Sequence, residues 1–296
     1  MKIVIAGGTG FIGEPLVRRL AARGDDVTVL TRNPAKVEIG RGVQWDARTQ
    51  GAWSVEAASA DVVINLAGEN IAGRWTEEKK KRAVDSRLNA THAIVEALQR
   101  EPSRTRTLIN ASAVGIYGNR GDETLDEHSS RGSGFLADLV GRWEAAAREA
   151  EPLARLVIVR FGVVLAPDGG ALKQMLLPFK LGVGGPLGNG RQWMPWIDRE
   201  DVLRILEWAI SNEHARGVYN ATAPDPVRNR ELARQLGRAL HRPAFLPAPA
   251  FALRLLFGQM ADEALLASQR ALPVRLASDG FAFERKTLGE SFANMR

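Results

Sequence analysis

Ile3-Val-Ile-Ala-Gly7-Gly-Thr9-Gly10-Phe11-Ile12-Gly13 is an apolar run that opens into glycines. The apolar part suits a strand covered on both faces, and the glycines suit a turn into a helix over Glu14 to Ala22. Such a junction lays a dinucleotide pyrophosphate on a helix N-terminus, where unpaired backbone N–H groups point outward. Gly7 allows the tight turn, Gly10 lets the backbone approach the phosphates, and Gly13 lets helix and strand pack closely. Thr9, Phe11 and Ile12 lie in the same turn and join the glycines as candidate cofactor contacts. The alternative is a glycine turn in an α/β domain without a ligand.

The segments that follow alternate in kind. Strands are expected at Asp26–Thr31, Val43–Trp45, Val62–Ala67, Thr107–Ser112 and Leu156–Phe161, with helices at about 76–100 and 134–150. That order requires a parallel, doubly wound sheet, the NAD(P)-binding Rossmann architecture. After residue 165 the texture changes to a helix (171–180), a glycine-rich loop (182–190) and the segment Arg191-Gln-Trp193-Met-Pro-Trp196. A helix (about 199–211), a strand (217–221) and a helix (230–240) come next. Pro243, Pro247 and Pro249 make an extended connector, because proline removes a donor and disfavours helix at the residue before it. The expected organisation is a Rossmann domain over 1–242, its smaller substrate-side lobe interleaved from about 165, and a short two-helix C-terminal domain over 243–296.

Composition narrows the chemistry. With Cys at 0, disulfides, thiolate metal sites and cysteine nucleophiles are excluded; the four histidines are too scattered for a zinc site. No apolar run approaches membrane-spanning length, and the N-terminus is a strand rather than a signal peptide. The net charge of +6 raises nucleic acid as a partner. Basic residues are dispersed, however, and the cluster Lys79-Lys-Lys-Arg82 follows Glu77-Glu78 on a helix, where solvated i,i+4 pairing accounts for it. The expectation is a cytoplasmic monomer or small homo-oligomer with a small-molecule substrate, anionic or nucleotide-linked, and neither a nucleic-acid nor a membrane partner.

The end of the second strand selects the cofactor. An acid there would bond ribose hydroxyls, whereas a base accommodates a 2′-phosphate. The strand ends Leu30-Thr-Arg32-Asn33, so NADP(H) is expected, with an exposed strand-end arginine as the plainer alternative. Asp46 after the third strand is an adenine contact or a turn residue. Leu66-Ala67-Gly68 ends the fourth strand where backbone must pass close to the cofactor.

Together these residues resemble the extended short-chain dehydrogenase/reductases, which include the sugar-nucleotide epimerases and dehydratases. The likeness runs through Gly7–Gly13, Asn65-Leu-Ala-Gly68, Ala111-Ser-Ala-Val-Gly-Ile-Tyr-Gly118 and Trp196-Ile-Asp-Arg-Glu-Asp201. More narrowly, the chain is similar to the epimerase family branch that carries a short C-terminal domain. That match rests on Phe135-Leu-Ala-Asp-Leu with Trp143-Glu144, Gly184-Gly-Pro-Leu-Gly188 with Arg191-Gln-Trp193, Asn220-Ala-Thr-Ala-Pro224 and His241-Arg-Pro-Ala-Phe245. The resemblance implies a Tyr-x-x-x-Lys pair with a nearby hydroxyl. This sequence departs from it: four residues after Tyr117 and Tyr219 stand Gly121 and Ala223, and Leu136 and Val140 align where the pair belongs.

Chemistry must then come from other groups. Ser112 ends the fifth strand, where ligands bind in such sheets, and is a candidate to bond the nicotinamide amide or a substrate carbonyl. Tyr117 on the following loop is a candidate proton donor, or a packing residue. Glu69 leaves the fourth strand at the same edge and is a candidate base, or a helix cap. Asn70, Arg191 and Trp193 are the candidate substrate contacts, Arg191 for an anionic group. Two functions fit: an NADP(H)-dependent oxidoreductase or epimerase-like isomerase with a rewired proton set, or a non-catalytic NADP(H)-binding sensor or interaction protein.

Overall fold

Ile3 and Ile5 point to one side of the first strand and Val4 and Ala6 to the other, and all four are fully buried. The computed structural model, which describes residues 1–101 and 106–293, covers that strand on both faces. The chain begins β1 (Lys2–Ala6), α1 (Gly13–Ala22), β2 (Asp26–Thr31), β3 (Arg41–Gln44), α2 (Ala52–Ala58), β4 (Val62–Asn65), α3 (Glu77–Leu98) and β5 (Thr107–Ala113). Next come β6 (Thr124–Leu125), α4 (Phe135–Arg148), β7 (Arg155–Phe161), β8 (Val163–Ala166), α5 (Gly170–Lys180), β9 (Trp193–Met194) and β10 (Trp196–Asp198). Then follow α6 (Arg199–Ser211), β11 (Gly217–Ala221), β12 (Val227–Arg228) and α7 (Asn229–Ala239). The C-terminal part holds α8 (Ala250–Phe257), β13 (Arg270–Ala271), α9 (Val274–Ser278) and α10 (Leu288–Phe292).

Seven strands form one sheet in the order β3-β2-β1-β4-β5-β7-β11, every pair parallel. On one face α1 and α6 bring Leu16, Leu20, Val202 and Ile205 against Ile3 and Ile5. On the other, α2, α3 and α4 bring Trp53, Ile94, Leu98 and Ala147 against Val4 and Ala6. Each fully buried aliphatic side chain contributes roughly 1.5–3 kcal/mol, so this two-sided burial commits the chain to a parallel sheet. Chain order reverses between β1 and β4, and the crevice at their carboxyl ends receives ligands in such folds. The smaller lobe adds two short pairs, β8 with β10 in parallel and β9 with β12 antiparallel.

Several local features differ from the sequence expectation. The third strand starts earlier, at Arg41, because Gly40 turns at φ +82°; Trp45, just past its end, packs on Trp53 at 5.4 Å. Helix α2 fills the interval between β3 and β4, where alternation implies a helix without giving its bounds. The C-terminal part has three short helices and a strand rather than two helices, since five-residue helices show too little periodicity to be read. Asp138 pairs with Arg131 at 3.5 Å. The lysine cluster of α3 does pair locally, Lys80 with Glu77, Lys81 with Asp85 and Arg82 with Glu78.

Candidate functional site

The glycine turn is closed by a bond from Gly10 N to Gly7 O at 3.0 Å, and Gly7 takes φ +78°. A Cβ on Gly7 would lie 2.8 Å from the Leu66 carbonyl carbon, and one on Gly13 would lie 2.2 Å from Gly7 O. Both obstacles are backbone atoms that cannot step aside, so the turn admits only glycine there. Thr9 and Gly10 stay exposed, and no side chain caps α1. Glu14 N donates to Gly10 O at 2.9 Å, Leu16 N donates to Ile12 O at 3.3 Å and Pro15 has no N–H, so Ile12 N and Gly13 N are the groups left for an anion. Ile12 is the N-cap residue; Phe11 instead lies under Arg199, 4.9 Å from ring to guanidinium, and against Gly169.

Beside the turn, a cavity of about 290 Å³ reaches the end of β2, with Thr9, Arg18, Thr31, Asn33 and Lys36 among its walls. Arg32 is exposed and makes no ion pair or hydrogen bond with the described residues. Asp46 is exposed too, but its carboxylate closes its own loop. One oxygen accepts from Arg48 N and Thr49 N at 2.8 Å each, the other from Thr49 Oγ1 at 2.7 Å. The bonds from Thr49 hold it below the usual carboxylate range.

Where β4 ends, Leu66 N donates to Ala6 O at 2.9 Å and Ala67 N to Asn65 Oδ1 at 3.2 Å, which keeps this backbone beside the glycine turn. A Cβ on Gly68 would lie 3.1 Å from the Arg87 guanidinium carbon. Arg87 reaches only carbonyl oxygens, those of Glu69 and Ala83 at 3.1 Å, and lies 5.2 Å from the Trp143 ring. Burial lowers it to about 10, against the pull of Glu69. A guanidinium packed this closely without a carboxylate on it is a natural anion partner. Sequence reading missed Arg87. The signal was there: it falls on the stripe Ala83, Ala90, Ile94 that α3 turns toward the core. Glu69 is half-buried and accepts from Arg82 Nε at 3.0 Å; exposed Asn70 accepts from Ala72 N at 2.8 Å.

Ser112 and Tyr117 meet through two other buried residues. Ser112 Oγ donates to Glu144 Oε1 at 2.6 Å, and Arg160 grips both oxygens of Glu144 at 2.7 and 2.8 Å. Arg160 also donates to Tyr117 Oη at 2.9 Å, which lies 2.7 Å from Asn220 Oδ1 and 2.8 Å from Asp126 O. Tyr117 is fully buried and Ser112 nearly so. Burial pushes the Tyr117 hydroxyl up although Arg160 and Asn220 pull it down. Burial works to lower Arg160, but the Glu144 carboxylate holds it above the ordinary arginine value. Glu69 makes no hydrogen bond to this network. Leu136 and Val140 on α4 are buried apolar residues.

Trp193 sits between Arg228 and Arg270, at 4.5 and 4.8 Å, and its Nε1 donates to Asp122 at 2.9 Å. Trp196 is core, donating to Asp225 O at 2.9 Å. Arg191 is exposed without an ion pair on the rim of a cleft of about 620 Å³, which Asn119, Asp122, Asn189, Arg228 and Arg230 also line. Residues 119–122 follow the carboxyl end of β5, so this cleft opens on the ligand side of the sheet. The C-terminal segment closes its wall: Ser268 N donates to Asn119 Oδ1 at 3.1 Å and Gln269 Nε2 to Gly118 O at 3.0 Å. Glu263 reaches further and accepts from Phe135 N and Leu136 N at 3.1 and 2.8 Å, capping α4 across the chain. Glu263→Ala is expected to cost about 1–2 kcal/mol, the upper range for a lost cap, read as a melting temperature a few degrees lower. Among the described residues no group of three or more His, Cys, Asp or Glu could hold a metal.

Comparison with known proteins adds to this geometry. The model of the NAD dependent epimerase/dehydratase family matches residues 3–222, and that of a domain of unknown function, DUF1731, matches residues 248–295. An Arabidopsis thaliana protein, the chloroplastic homolog of epimerase family protein SDR39U1, is 39% identical over 97% of this chain and 84% of its own. An epimerase family protein of Mycobacterium bovis is 43% identical over 98% of this chain and 95% of its own. The crystal structure of human epimerase family protein SDR39U1 with NADPH superposes with a TM-score of 0.89. It is 38% identical and covers 99% of this chain and 98% of that one.

Proposed function

We propose that this chain, which belongs to the NAD dependent epimerase/dehydratase family, binds NADP(H) between β1 and β4 and serves an oxidoreductase or epimerase-type reaction on a small anionic or nucleotide-linked substrate. One observation carries the reading: a backbone cradle closed to any Cβ at Gly7 and Gly13 has two cations around it that pair with no carboxylate among the described residues, Arg32 at the end of β2 and Arg87 beside Gly68. The residues fit the cofactor, and the NADPH of the human relative supports the same choice. In this reading Gly7, Thr9, Gly10, Phe11, Ile12 and Gly13 hold the pyrophosphate, Arg32 the 2′-phosphate and Asp46 the adenine side. Leu66, Ala67 and Gly68 pass along the cofactor, and Arg87 supplies positive charge to it. NADP(H), when bound, gives or takes a hydride.

The chain's own part is proton handling and positioning. The sequence lacks a Tyr-x-x-x-Lys pair. Ser112 and Tyr117 keep their hydroxyls in the network of Glu144, Arg160 and Asn220, so they fix the floor of the site. Glu69 is the half-exposed carboxylate at the same edge, bonded to Arg82, and takes up the proton. Asn70 and Arg191 bind the substrate's polar and anionic groups, with Trp193 fixed as a wall between its two arginines.

Arg32→Ala is expected to weaken NADPH binding tenfold or more, at about 1.5–3 kcal/mol for a charge-assisted phosphate bond, and NADH binding less than twofold. Calorimetry with both cofactors decides it; equal losses would remove Arg32 from the site. For the reaction, NADPH consumption over a panel of carbonyl compounds and sugar nucleotides is the test, with Glu69→Gln losing roughly a hundredfold in turnover. The burial of the Ser112 and Tyr117 hydroxyls favours a second reading, a non-catalytic NADP(H)-binding sensor or interaction protein. Tight NADPH binding with no turnover across the panel selects it.

A further inference from the structure

Positive charge is distributed unevenly along this chain. Residues 169–191 and 226–261 hold nine Lys and Arg against one acid, Glu231, whereas the remainder holds 31 against 33. The fold lays these two segments side by side. Leu187 bridges Ala248 in parallel, with Gly188 N donating to Ala248 O at 2.8 Å and Ala248 N to Pro186 O at 2.9 Å. Gly185 is pressed against the Leu246 backbone. Helix α7 presents Arg230, Arg234 and Arg238 at four-residue spacing. With His241 and Arg242 they line an open cleft of about 620 Å³ that includes Phe245. Arg234 is tied to Glu231; Arg230, Arg238, Arg242 and Lys180 are exposed and make no ion pair among the described residues.

Most of the exposed large apolar side chains among the described residues lie in the same two segments. Leu177, Leu181 and Val183 project from the end of α5 at 65, 69 and 54% exposure. Phe245 and Leu246 project from the prolyl connector beside them, Phe245 at 73%. Helix α8 has the sequence AFALRLLF, yet only Leu253 is buried, and Phe251 and Leu255 stand 74% exposed one turn apart. Eight of the 11 exposed large hydrophobics among the described residues lie here, so apolar and cationic groups share one region.

We propose that this face docks on an anionic phospholipid surface, its arginines at the headgroup phosphates and Phe245, Phe251 and Leu255 dipping toward the acyl chains. A second copy of the chain is a poor occupant, because a two-fold contact would set like charges face to face. Nucleic acid would use the arginines but offers nothing to six exposed aliphatic side chains, since bases stack on aromatic rings. A bilayer surface takes both kinds of group without demanding a shape. No helix among the described residues is long and apolar enough to cross a membrane, and the association is peripheral.

The test is co-sedimentation of the full chain with vesicles of phosphatidylcholine alone or mixed equally with phosphatidylglycerol, at low and high salt. The protein is expected to pellet with the anionic vesicles at low salt, and at least tenfold less with neutral vesicles or at high salt. Arg238→Glu with Arg242→Glu, and separately Phe251→Ser with Leu255→Ser, should each reduce partitioning roughly tenfold or more while the melting temperature stays unchanged. Equal pelleting with both vesicle types would overturn the proposal. So would single-stranded RNA binding lost only in the arginine variant, or a dimer dispersed by the Phe251 and Leu255 changes, if either came without vesicle binding.

Discussion

A Gly13→Ala variant is expected to lose NADPH affinity by a hundredfold or more in calorimetry and to melt several degrees lower. The added methyl would sit 2.2 Å from Gly7 O and 2.7 Å from Gly8 Cα. To make room, the start of α1 must move off β1, carrying the free N–H groups of the turn away from the phosphates. Each charge-assisted bond from an N–H to phosphate is worth about 1.5–3 kcal/mol, so two lost bonds give a factor of a hundred to ten thousand. The overpacking itself destabilises by about 1–3 kcal/mol. Gly10→Ala makes the informative contrast. Its Cβ meets only Gly7 O, at 3.2 Å, so the fold should hold while the phosphates are kept at a distance. Retention of full affinity by Gly13→Ala would remove the turn from the cofactor site.

Glu144→Ala is expected to be the most destabilising single change in the polar interior. It leaves the Arg160 guanidinium buried without its carboxylate and takes away the acceptor of Ser112. Breaking a buried ion pair costs about 3–5 kcal/mol, a fall in melting temperature on the order of 10 °C. Apolar replacement of both partners, Glu144→Leu with Arg160→Met, should recover much of the loss because no charge then remains to desolvate. Chemical denaturation of the three proteins checks this. A double variant no better than the single one would show that the pair is not the source of the stability.

The sheet was legible because β1, β4, β5 and β7 are short apolar runs, and the turn because glycines follow one of them directly. The polar network was not. Ser112, Arg160 and Asn220 lie in one row across β5, β7 and β11, since Ser112 pairs with Arg160 and Arg160 with Asn220. A sequence shows strands but not their register, and a shift of one residue would turn Arg160 to the other face. Glu144 and Tyr117 reach that row from a helix and a loop. Arg87 was hidden among charged neighbours on α3, although its place on the apolar stripe set it apart. Charge misled in another way: two segments far apart in the sequence hold the excess of cations, and they gather in space because residues near 187 and 248 run side by side.

The Glu263 cap and the bond from Ser268 to Asn119 also bear on how the protein is made. Ser268 bonds to Asn119 across 149 residues, and Glu263 bonds to Phe135 across 128. Glu263 and Ser268 are synthesised well after these partners, so the start of α4 and the loop after β5 wait for that later segment. A chain that stops before residue 263 holds all strands of the seven-stranded sheet and lacks one wall of its cleft.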